Sequence, residues 1–390
     1  MSPAFAAFAD NEHHERLARA RAALRDSGFD GCVSVAPETH FYLAGYDAWV
    51  AVNSPQALVF SAKDEREPTL VLRDCDRPMA DETTWLSDIR SYRLNAEDHC
   101  ALIAEVAAEH GLASGRIAVE TQSYAITYAY GRDLAEALAP AEIDDGTAVL
   151  GGLRLLKSPA EMAYIRDAAL FAELGLETAR RRLRPGITEI ALAGTVEGAM
   201  RVAGCDYWAI PTELAAGPRG TAMHATPRDR AILSGELVHM EFAGVARRYH
   251  AVALHTVALG KPSSRARDLY AATCESLAAG IAAIRPGAPV CDVEEACLAP
   301  LRRDGIADGF KMRFGYGIGI AYPPIWLESL QISRDFDTRL EPGMVFVLHA
   351  GVDLMDEGLG VVQGGTYALT DAGLEQLVGG GDVALEVIGA

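Results

Sequence analysis

Cysteine is sparse in this chain of 390 residues, and its spacing provides no scaffold. The seven cysteines are an odd number without a CxxC pair, which argues against a disulfide framework and against a thiolate zinc site. A secretion signal is also missing, because Asp10, Glu12 and Glu15 stand where a cationic region and an apolar run would be needed. We therefore expect reduced cysteines and a cytoplasmic location.

Positive charge is in deficit, and long apolar runs are absent. The 35 Lys and Arg residues face 54 Asp and Glu residues, so the formal net charge is −19. A negative surface repels phosphate backbones and anionic lipids, and no run is long enough to span a bilayer. The glycine-rich stretch 378–382 has no helix after it, which disfavours a phosphate site. Neither a nucleic acid nor a membrane is an expected partner.

Apolar residues make up half of the chain, enough for two separately buried cores. In the first part, helical periodicity at 11–27, 101–110 and 124–138 alternates with short apolar runs at 32–35, 57–60, 69–72 and 117–119. This alternation predicts an α/β domain. We place the domain boundary near residue 155, giving domains 1–155 and 156–390.

The second domain begins with a strong helix-start signal. Ser158 and Pro159 suit a cap and a first turn, and Glu161 stands at the capping-box position. Helices are predicted at 159–183, 187–204, 263–283 and 290–303, with strands at 235–244, 249–259, 343–350 and 360–369. Long helices combined with antiparallel strands indicate an α+β domain.

Four stretches of the second half carry a family resemblance. They are "KSPAEMAYIRDAA", "MHATPRDRAILSGELVHMEF", "HTVALG" and "LEPGMVFVLHAG", followed by "TYALTDAG". In this order they resemble the creatinase/aminopeptidase P/prolidase superfamily, peptidase family M24. The resemblance implies an α+β pita-bread catalytic domain preceded by a smaller α/β creatinase-type N-terminal domain.

The peptidase branch of that superfamily binds two divalent ions through two Asp, one His and two Glu. The corresponding positions here are occupied by Glu241, Val252, Tyr316, His349 and Gly364. Two hard cations need several anionic oxygens, and only Glu241 supplies one. The resemblance therefore implies an enzyme that uses no metal and no other cofactor.

Two further stretches, "RFGYGIGIAYPPIWLE" and "FYLAGYDAW", are similar to the ectoine-hydrolase branch, in which the fold is kept without metal. Creatinase has a catalytic Glu where this chain has Leu254, so the chain is not a creatinase. The implied activity is metal-independent hydrolysis of a C–N bond in a small, zwitterionic, amino-acid-derived amidine or amide.

His224 and Glu241 are the leading catalytic candidates. His224 matches a proton-transferring histidine of the creatinase-type enzymes, and a neutral imidazole suits that task. Glu241 lies in an apolar strand on one face with His239, and a buried carboxylate there needs a partner. It is expected to act as a general base, a nucleophile or a clamp on a substrate cation. A structural ion pair with Arg313 is the alternative.

Tyr316 and His349 take over former metal positions and are expected to donate hydrogen bonds to a developing oxyanion. Glu328 matches a Glu of the ectoine-hydrolase-like motif and is a further catalytic candidate, with a solvated loop carboxylate as the alternative. Arg313 or a main-chain amide is expected to hold a substrate carboxylate.

The remaining predicted substrate contacts lie in three places. Tyr322 and Trp326 are expected to form an aromatic wall. His250 and His255 lie on opposite faces of a regular strand, so at most one faces the site, and His255 is the candidate. Tyr46, Asp47 and Trp49 belong to the N-terminal domain, which in homodimers of this superfamily borders the partner's active site. A homodimer is thus expected.

Two other classes of function stay open on the sequence. A lyase or other biosynthetic enzyme could use the same pocket on an amino-acid-like molecule, with the His and Glu abstracting a proton. A non-catalytic pita-bread binding protein is the third reading.

Overall fold

The computed structural model describes residues 3–379 and 384–389. The chain divides into two compact units, Met1–Arg154 and Leu155–Ala390, so the division falls one residue before the predicted one. The glycine-rich stretch 378–382 extends beyond the described residues.

The first unit contains one mixed sheet with helices. Its helices are α1 Asp10–Asp26, α2 Pro37–Thr39, α3 Arg77–Thr83, α4 His99–Glu109, α5 Tyr128–Leu138 and α6 Thr147–Gly152, and its strands are β1 Gly31–Ser34, β2 Ala57–Ser61, β3 Thr69–Arg73, β4 Ile89–Tyr92, β5 Arg116–Val119 and β6 Glu142–Asp145. Single turns of 3-10 or π helix lie at His40–Ala44, Trp49–Val52 and Asp74–Asp76.

The sheet order in this unit is β4-β3-β2-β1-β5-β6. The predicted strands form, and β1, β2 and β3 are buried along most of their length. The outer strands β4 and β6 were not predicted because their sequences, IRSY and EIDD, are polar and only partly buried. Val59, Val71, Ile103 and Leu134 share one hydrophobic core beneath the helices.

The second unit combines long helices with a large antiparallel sheet. Its helices are α7 Pro159–Arg182, α8 Glu189–Val202, α9 Ser264–Ala283 and α10 Val290–Arg303, and its strands are β7 Glu213–Ala216, β8 Leu237–Ala246, β9 Tyr249–Leu259, β10 Gly315–Gly317, β11 Gln331–Ile332, β12 Val345–Leu354, β13 Leu359–Thr370, β14 Gly373–Gly379 and β15 Val387–Ile388. Short 3-10 helices lie at Gly217–Thr221, Ala307–Gly309 and Met355–Glu357. The four predicted helices and the four predicted strands all form, within a few residues of their expected bounds.

Helix α7 begins as its sequence predicts. The Ser158 hydroxyl accepts the Glu161 backbone N–H at 3.3 Å, and the Glu161 carboxylate accepts the Ser158 N–H at 2.9 Å, which confirms the capping box. The helix packs so closely on β8 that a Cβ on Gly244 would lie 2.0 Å from the Ala168 carbonyl oxygen. Only glycine therefore fits at that crossing.

Strand β8 lies near one edge of the sheet. Within the described residues the order is β11-β10-β12-β13-β9-β8-β7, and β14 and β15 pair with β13 and β9. Helices α9 and α10 bury one side of β12 and β13 in a core that includes Leu277, Leu298, Phe346 and Leu348. In the part of the chain that the structure describes, no helix is long and apolar enough to cross a bilayer.

Candidate active site

A row of paired residues crosses five strands of the second unit. Glu213 pairs with Glu241, Glu241 with Leu254, Leu254 with Gly364, and Gly364 with His349. Residues that are directly opposite each other in antiparallel strands point to the same face. The register therefore places both glutamates and His349 on one face of the sheet.

A cavity of about 870 Å³ opens on this face. Six of the predicted site residues line it together: His224, Glu241, Arg313, Tyr316, Trp326 and His349. Glu213 and Glu294 line it as well, although neither was predicted from the sequence. The volume lies within the range of about 300–1,000 Å³ found for small-molecule pockets.

Glu241 lies in a chain of hydrogen bonds at the buried side of the cavity. The Tyr316 hydroxyl donates to Oε1 of Glu241 at 3.2 Å, and the Trp326 indole N–H donates to the Tyr316 oxygen at 3.0 Å. Burial raises the pKa of the Glu241 carboxyl, and the hydrogen bond from Tyr316 partly opposes that rise. The phenol thus aligns the carboxylate and stabilises its ionised form.

Glu213 is the immediate neighbour of Glu241 on the sheet. Burial, and then the negative charge of Glu241, raise its pKa. Its Oε2 atom has no hydrogen-bond partner among the described residues. In the same part of the chain, no Lys, Arg or His forms an ion pair with either carboxylate. Two acidic groups therefore share a buried position without a counter-charge.

His349 lies on the same face of the sheet and lines the same cavity. Its side chain is buried, and its ring centroid lies 6.0 Å from that of Tyr316. Burial and the nearby charges of Arg313 and His224 lower its pKa to about 4. The imidazole is neutral at physiological pH, and its Nδ1 atom has no hydrogen-bond partner within the described ranges. A neutral ring in this position can donate one hydrogen bond into the cavity.

Two predicted residues lie at the more open part of the cavity. His224 is exposed, in the segment between the 3-10 helix Gly217–Thr221 and β8. Arg313 is also exposed, and its guanidinium donates to the Gln331 side-chain oxygen. The alternative reading, an ion pair between Glu241 and Arg313, is not what the structure has.

Glu294 adds a third carboxylate to the cavity lining. One of its oxygens accepts the Phe314 backbone N–H at 3.0 Å, and the other lies 3.5 Å from Nε of Arg334. Burial raises its pKa, against the effect of these backbone and arginine contacts. Glu294 is therefore anchored by its own partners, unlike Glu213.

Glu328 requires a correction, because it does not line the cavity. Its carboxylate forms an ion pair with Nζ of Lys157 at 2.6 Å, and the two side chains are 3% and 0% exposed. The solvated loop carboxylate, the alternative reading, is not what the structure has, and the catalytic role stays a prediction. It is one half of a buried ion pair that joins the segment before α7 to the segment after β10.

His255 and Tyr322 also lie away from the cavity. His255 pairs with Met240 on the opposite face from Glu241, where its Nδ1 lies 3.2 Å from the Gln363 side-chain oxygen. His250 is on the face of Glu241 instead, buried with its ring bonded to backbone groups. Tyr322 is 1% exposed, and its ring lies 5.7 Å from the Arg248 guanidinium. Of the predicted aromatic wall, only Trp326 lines the cavity.

The N-terminal candidates belong to the first unit. Tyr46 is buried there, and its hydroxyl accepts from the Gln56 amide at 3.2 Å. The Asp47 backbone N–H donates to the Thr83 hydroxyl at 3.3 Å. Trp49 is 50% exposed. Of these three side chains, Trp49 is the one most open to a ligand or to another chain.

The five positions that hold metal in the peptidase branch do not fit a pair of divalent ions. Val252 has no donor atom, and at Gly364 a Cβ would lie 2.2 Å from the Leu348 carbonyl oxygen. Tyr316, whose pKa is raised by burial and by Glu241, is a protonated phenol and a poor ligand. Within residues 3–379 and 384–389, no three His, Cys, Asp or Glu side chains are grouped to bind a metal ion.

Glu213 stands in a local sequence similar to that of Glu241. Each is a single carboxylate in an apolar strand, "ELAA" and "LVHMEFAG", and such a group needs a reason to be buried. Strand β7 has only four residues, so its alternation was too short to indicate a strand. Glu294 lies on α10 at a buried helical position that periodicity alone assigns to the core.

Comparison with known proteins agrees with this architecture. Residues 163–371 match the model of metallopeptidase family M24, and residues 16–156 match the creatinase/prolidase N-terminal domain. The chain belongs to the M24 family, an enzyme family of hydrolases and peptidases, and has the creatinase-type N-terminal domain and the pita-bread domain that the sequence motifs indicate.

Individual relatives span nearly the whole chain. The ectoine hydrolase of Halomonas elongata is 30% identical over 390 residues, which cover 95% of this chain and 96% of the relative. An uncharacterized hydrolase/peptidase of Sinorhizobium fredii, y4tM, is 29% identical over 382 residues, with the same coverage. A crystal structure of prolidase from Thermococcus sibiricus has a TM-score of 0.86 at 20% identity, covering 95% of this chain and 98% of that one. That likeness concerns the fold.

Proposed function

We propose that this protein is a metal-independent hydrolase that cleaves a C–N bond in a small amino-acid-derived amidine or amide. The observation that carries the proposal is the Glu241 carboxylate, buried in the cavity and held by the Tyr316 hydroxyl. A carboxylate with a raised pKa is a competent general base near neutral pH. The whole-length similarity to an ectoine hydrolase supports the substrate class.

In this mechanism Glu241 takes a proton from a water molecule that attacks the amidine or amide carbon. Tyr316 and the neutral His349 face the same space and donate hydrogen bonds to the oxygen that becomes negatively charged. Donors in a buried site stabilise such a charge strongly, and Tyr316 becomes one when the substrate displaces its hydrogen bond to Glu241. They supply stabilisation that metal ions provide in the peptidase branch.

The charges along the cavity suit a zwitterion. Glu213, Glu241, Glu294 and Asp335 line the cavity with acidic groups, and Lys311, Arg313 and Arg334 line it with basic groups. A substrate that carries both a carboxylate and a cationic nitrogen would find groups of opposite charge for each. Arg313 remains our candidate for binding the substrate carboxylate.

Metal analysis combined with a substrate panel tests the proposal. The purified protein, treated with EDTA, is assayed on ectoine, on other cyclic amidines, on small amides of amino acids and on Xaa-Pro dipeptides. We expect amidine or amide turnover that EDTA leaves unchanged and that Glu241→Gln abolishes. Stoichiometric manganese, zinc or iron, together with dipeptide cleavage lost on chelation, would overturn the proposal.

The product of the reaction separates hydrolysis from elimination. Hydrolysis adds the elements of water across the C–N bond, whereas a lyase leaves an unsaturated product without that mass gain. Mass spectrometry in ¹⁸O-labelled water therefore distinguishes the two, and we expect one labelled oxygen in the product.

We also propose that the protein is a homodimer, as the resemblance of the N-terminal stretch "FYLAGYDAW" predicts. Light scattering coupled to size-exclusion chromatography tests this. A monomer at micromolar concentration would contradict it.

A further inference from the structure

The two carboxylates of the site lie on adjacent strands. The register pairs Glu213 directly with Glu241, and the Cβ atoms of such a pair are about 4.5–5.5 Å apart. Both side chains line the cavity and are almost fully buried, with exposed fractions of 6% and 7%. Two like charges at this separation, in a poorly hydrated position, cannot both ionise near neutral pH.

The hydrogen bonds of the two groups differ. Glu241 accepts the Tyr316 hydroxyl, which favours its ionised form. The Oε2 atom of Glu213 has no partner in the part of the chain that the structure describes. A proton on Glu213 therefore has a free position in the cavity, and the pKa of Glu213 is raised by burial and by the charge of Glu241.

We propose that Glu213 and Glu241 hold one proton between them and that Glu213 is a further catalytic residue, which gives this proton to the departing nitrogen. This inference rests on the proposed C–N hydrolysis. A pair of carboxyl groups whose environments separate an acid from a base can perform both proton transfers of a hydrolysis.

The proposed steps balance without a further reactant. A water oxygen forms a bond to the substrate carbon while Glu241 takes one of its protons. The C–N bond then breaks, and its electron pair leaves on the nitrogen, which accepts the proton from Glu213. Glu241 is now protonated and Glu213 ionised; Glu241 then releases its proton to water in the cavity and Glu213 takes one up from water, which restores the starting state.

This assignment changes the expected role of His224. Its imidazole is exposed at the mouth of the cavity, whereas Glu213 is buried beside the base. His224 is therefore suited to exchanging protons with solvent, and Glu213 to the transfer at the reacting bond.

The shared proton can be observed without a substrate. Infrared difference spectra of wild type minus Glu213→Gln at pH 7 should show the carbonyl band of a protonated carboxyl group. Glu375→Gln, which changes an exposed carboxylate paired with Arg166, is the matched control and should show no such band. Glu294 is present in both proteins, so any band from it cancels in the difference spectrum. If the wild type minus Glu213→Gln spectrum lacks the carbonyl band, the shared proton is overturned.

The proton donation is tested by changing the leaving group. For the amidine or amide that the wild type hydrolyses, Glu213→Gln should lower kcat by about 10²-fold or more, the size of a lost general acid. The 4-nitrophenyl ester of the same acyl group has a leaving group that needs no proton, and its turnover should fall far less. Glu213→Asp should recover part of the amide activity, and His224→Gln should not show the selective loss.

The outcomes separate this inference from the function on which it rests. Equal losses for amide and ester in Glu213→Gln overturn the donor role, and so does a selective amide loss in His224→Gln alone. A wild type that hydrolyses nothing overturns the proposed function and the donor role together, while the infrared result still decides the shared proton.

Discussion

Tyr316 and Glu241 are joined by a hydrogen bond of 3.2 Å between the phenol and the carboxylate. Tyr316 stands on the three-residue strand β10, and Glu241 in the middle of β8. Because Trp326 in turn donates to the Tyr316 oxygen, the phenol is both a donor and an acceptor in a fixed chain. A substrate that displaces this hydrogen bond frees a donor directed into the cavity.

Replacing Tyr316 by Phe should therefore reduce turnover. Removal of one oxyanion donor costs about 10²–10³ in kcat, and we expect a loss of that order with a smaller change in KM. Tyr367→Phe is the matched control, because Tyr367 is buried in the core on the other face of the sheet. Unchanged kcat in Tyr316→Phe would exclude the phenol from the chemistry.

The paired carboxyl groups of Glu213 and Glu241 should reduce stability by an amount that depends on pH. The pKa of Glu213 is raised in the folded state. At a pH below the ordinary pKa of a Glu, the carboxyl group is protonated in both the folded and the unfolded protein, and it costs no stability. As the pH rises through that ordinary value, the unfolded chain ionises while the folded protein holds its proton, and stability falls.

Glu213→Gln should consequently raise the free energy of unfolding at pH 8 by about 1–3 kcal/mol, because an amide does not ionise in the unfolded chain and a pKa shift is worth about 1.4 kcal/mol per unit. The gain should shrink towards pH 4. Urea unfolding across this range, with Glu375→Gln as control, measures it. A gain that does not vary with pH would mean that Glu213 titrates normally.

His349 should reduce stability as the pH falls, whereas Glu213 reduces it as the pH rises. Its pKa is lowered to about 4, so the folded protein resists a proton that the unfolded chain binds near pH 6.5. The contribution to stability is complete above pH 6.5 and is lost as the pH falls towards 4. His349→Gln should make the slope of unfolding free energy against pH shallower in this window. His14→Gln, which changes an exposed histidine, should leave the slope unchanged.

The buried Lys157–Glu328 pair predicts a double-mutant result. Removing one partner leaves an uncompensated buried charge, which costs about 3–5 kcal/mol. Lys157→Met should be destabilised by that amount, and Lys157→Met combined with Glu328→Met should recover most of it. Thermal and urea unfolding of the wild type, Lys157→Met, Glu328→Met and the double variant provide the measurement. A Glu328→Gln variant that folds normally but loses all turnover would instead return Glu328 to the catalytic residues.

Residues that lie in long motifs could be placed from the sequence, whereas residues defined by pairing could not. His224, Tyr316 and His349 stand in motifs with a fixed order along the domain, and all three line the cavity. Glu213 becomes visible only through the register of β7 with β8, which local periodicity in four residues does not specify. The same limit explains why the buried ion pair of Glu328 was not predicted, since its partner Lys157 is 171 residues away.

Strand faces were harder to assign than strands. The sequence predicts that His250 and His255 point to opposite faces, and they do, but it does not reveal which face holds Glu241. The pairing of Glu241 with Leu254 settles this, since it places even-numbered residues of β9 on the face of the cavity. A choice between two equivalent faces depends on the neighbouring strands, and so on contacts distant in sequence.

Gly364 has a consequence for protein engineering. A side chain at that position would collide with the backbone of β12, where a Cβ would lie 2.2 Å from the Leu348 oxygen. Point mutation alone therefore cannot place a ligand there, because the neighbouring strand would first have to withdraw. An engineer who wished to build a metal centre at these positions would have to rebuild the sheet before changing its side chains.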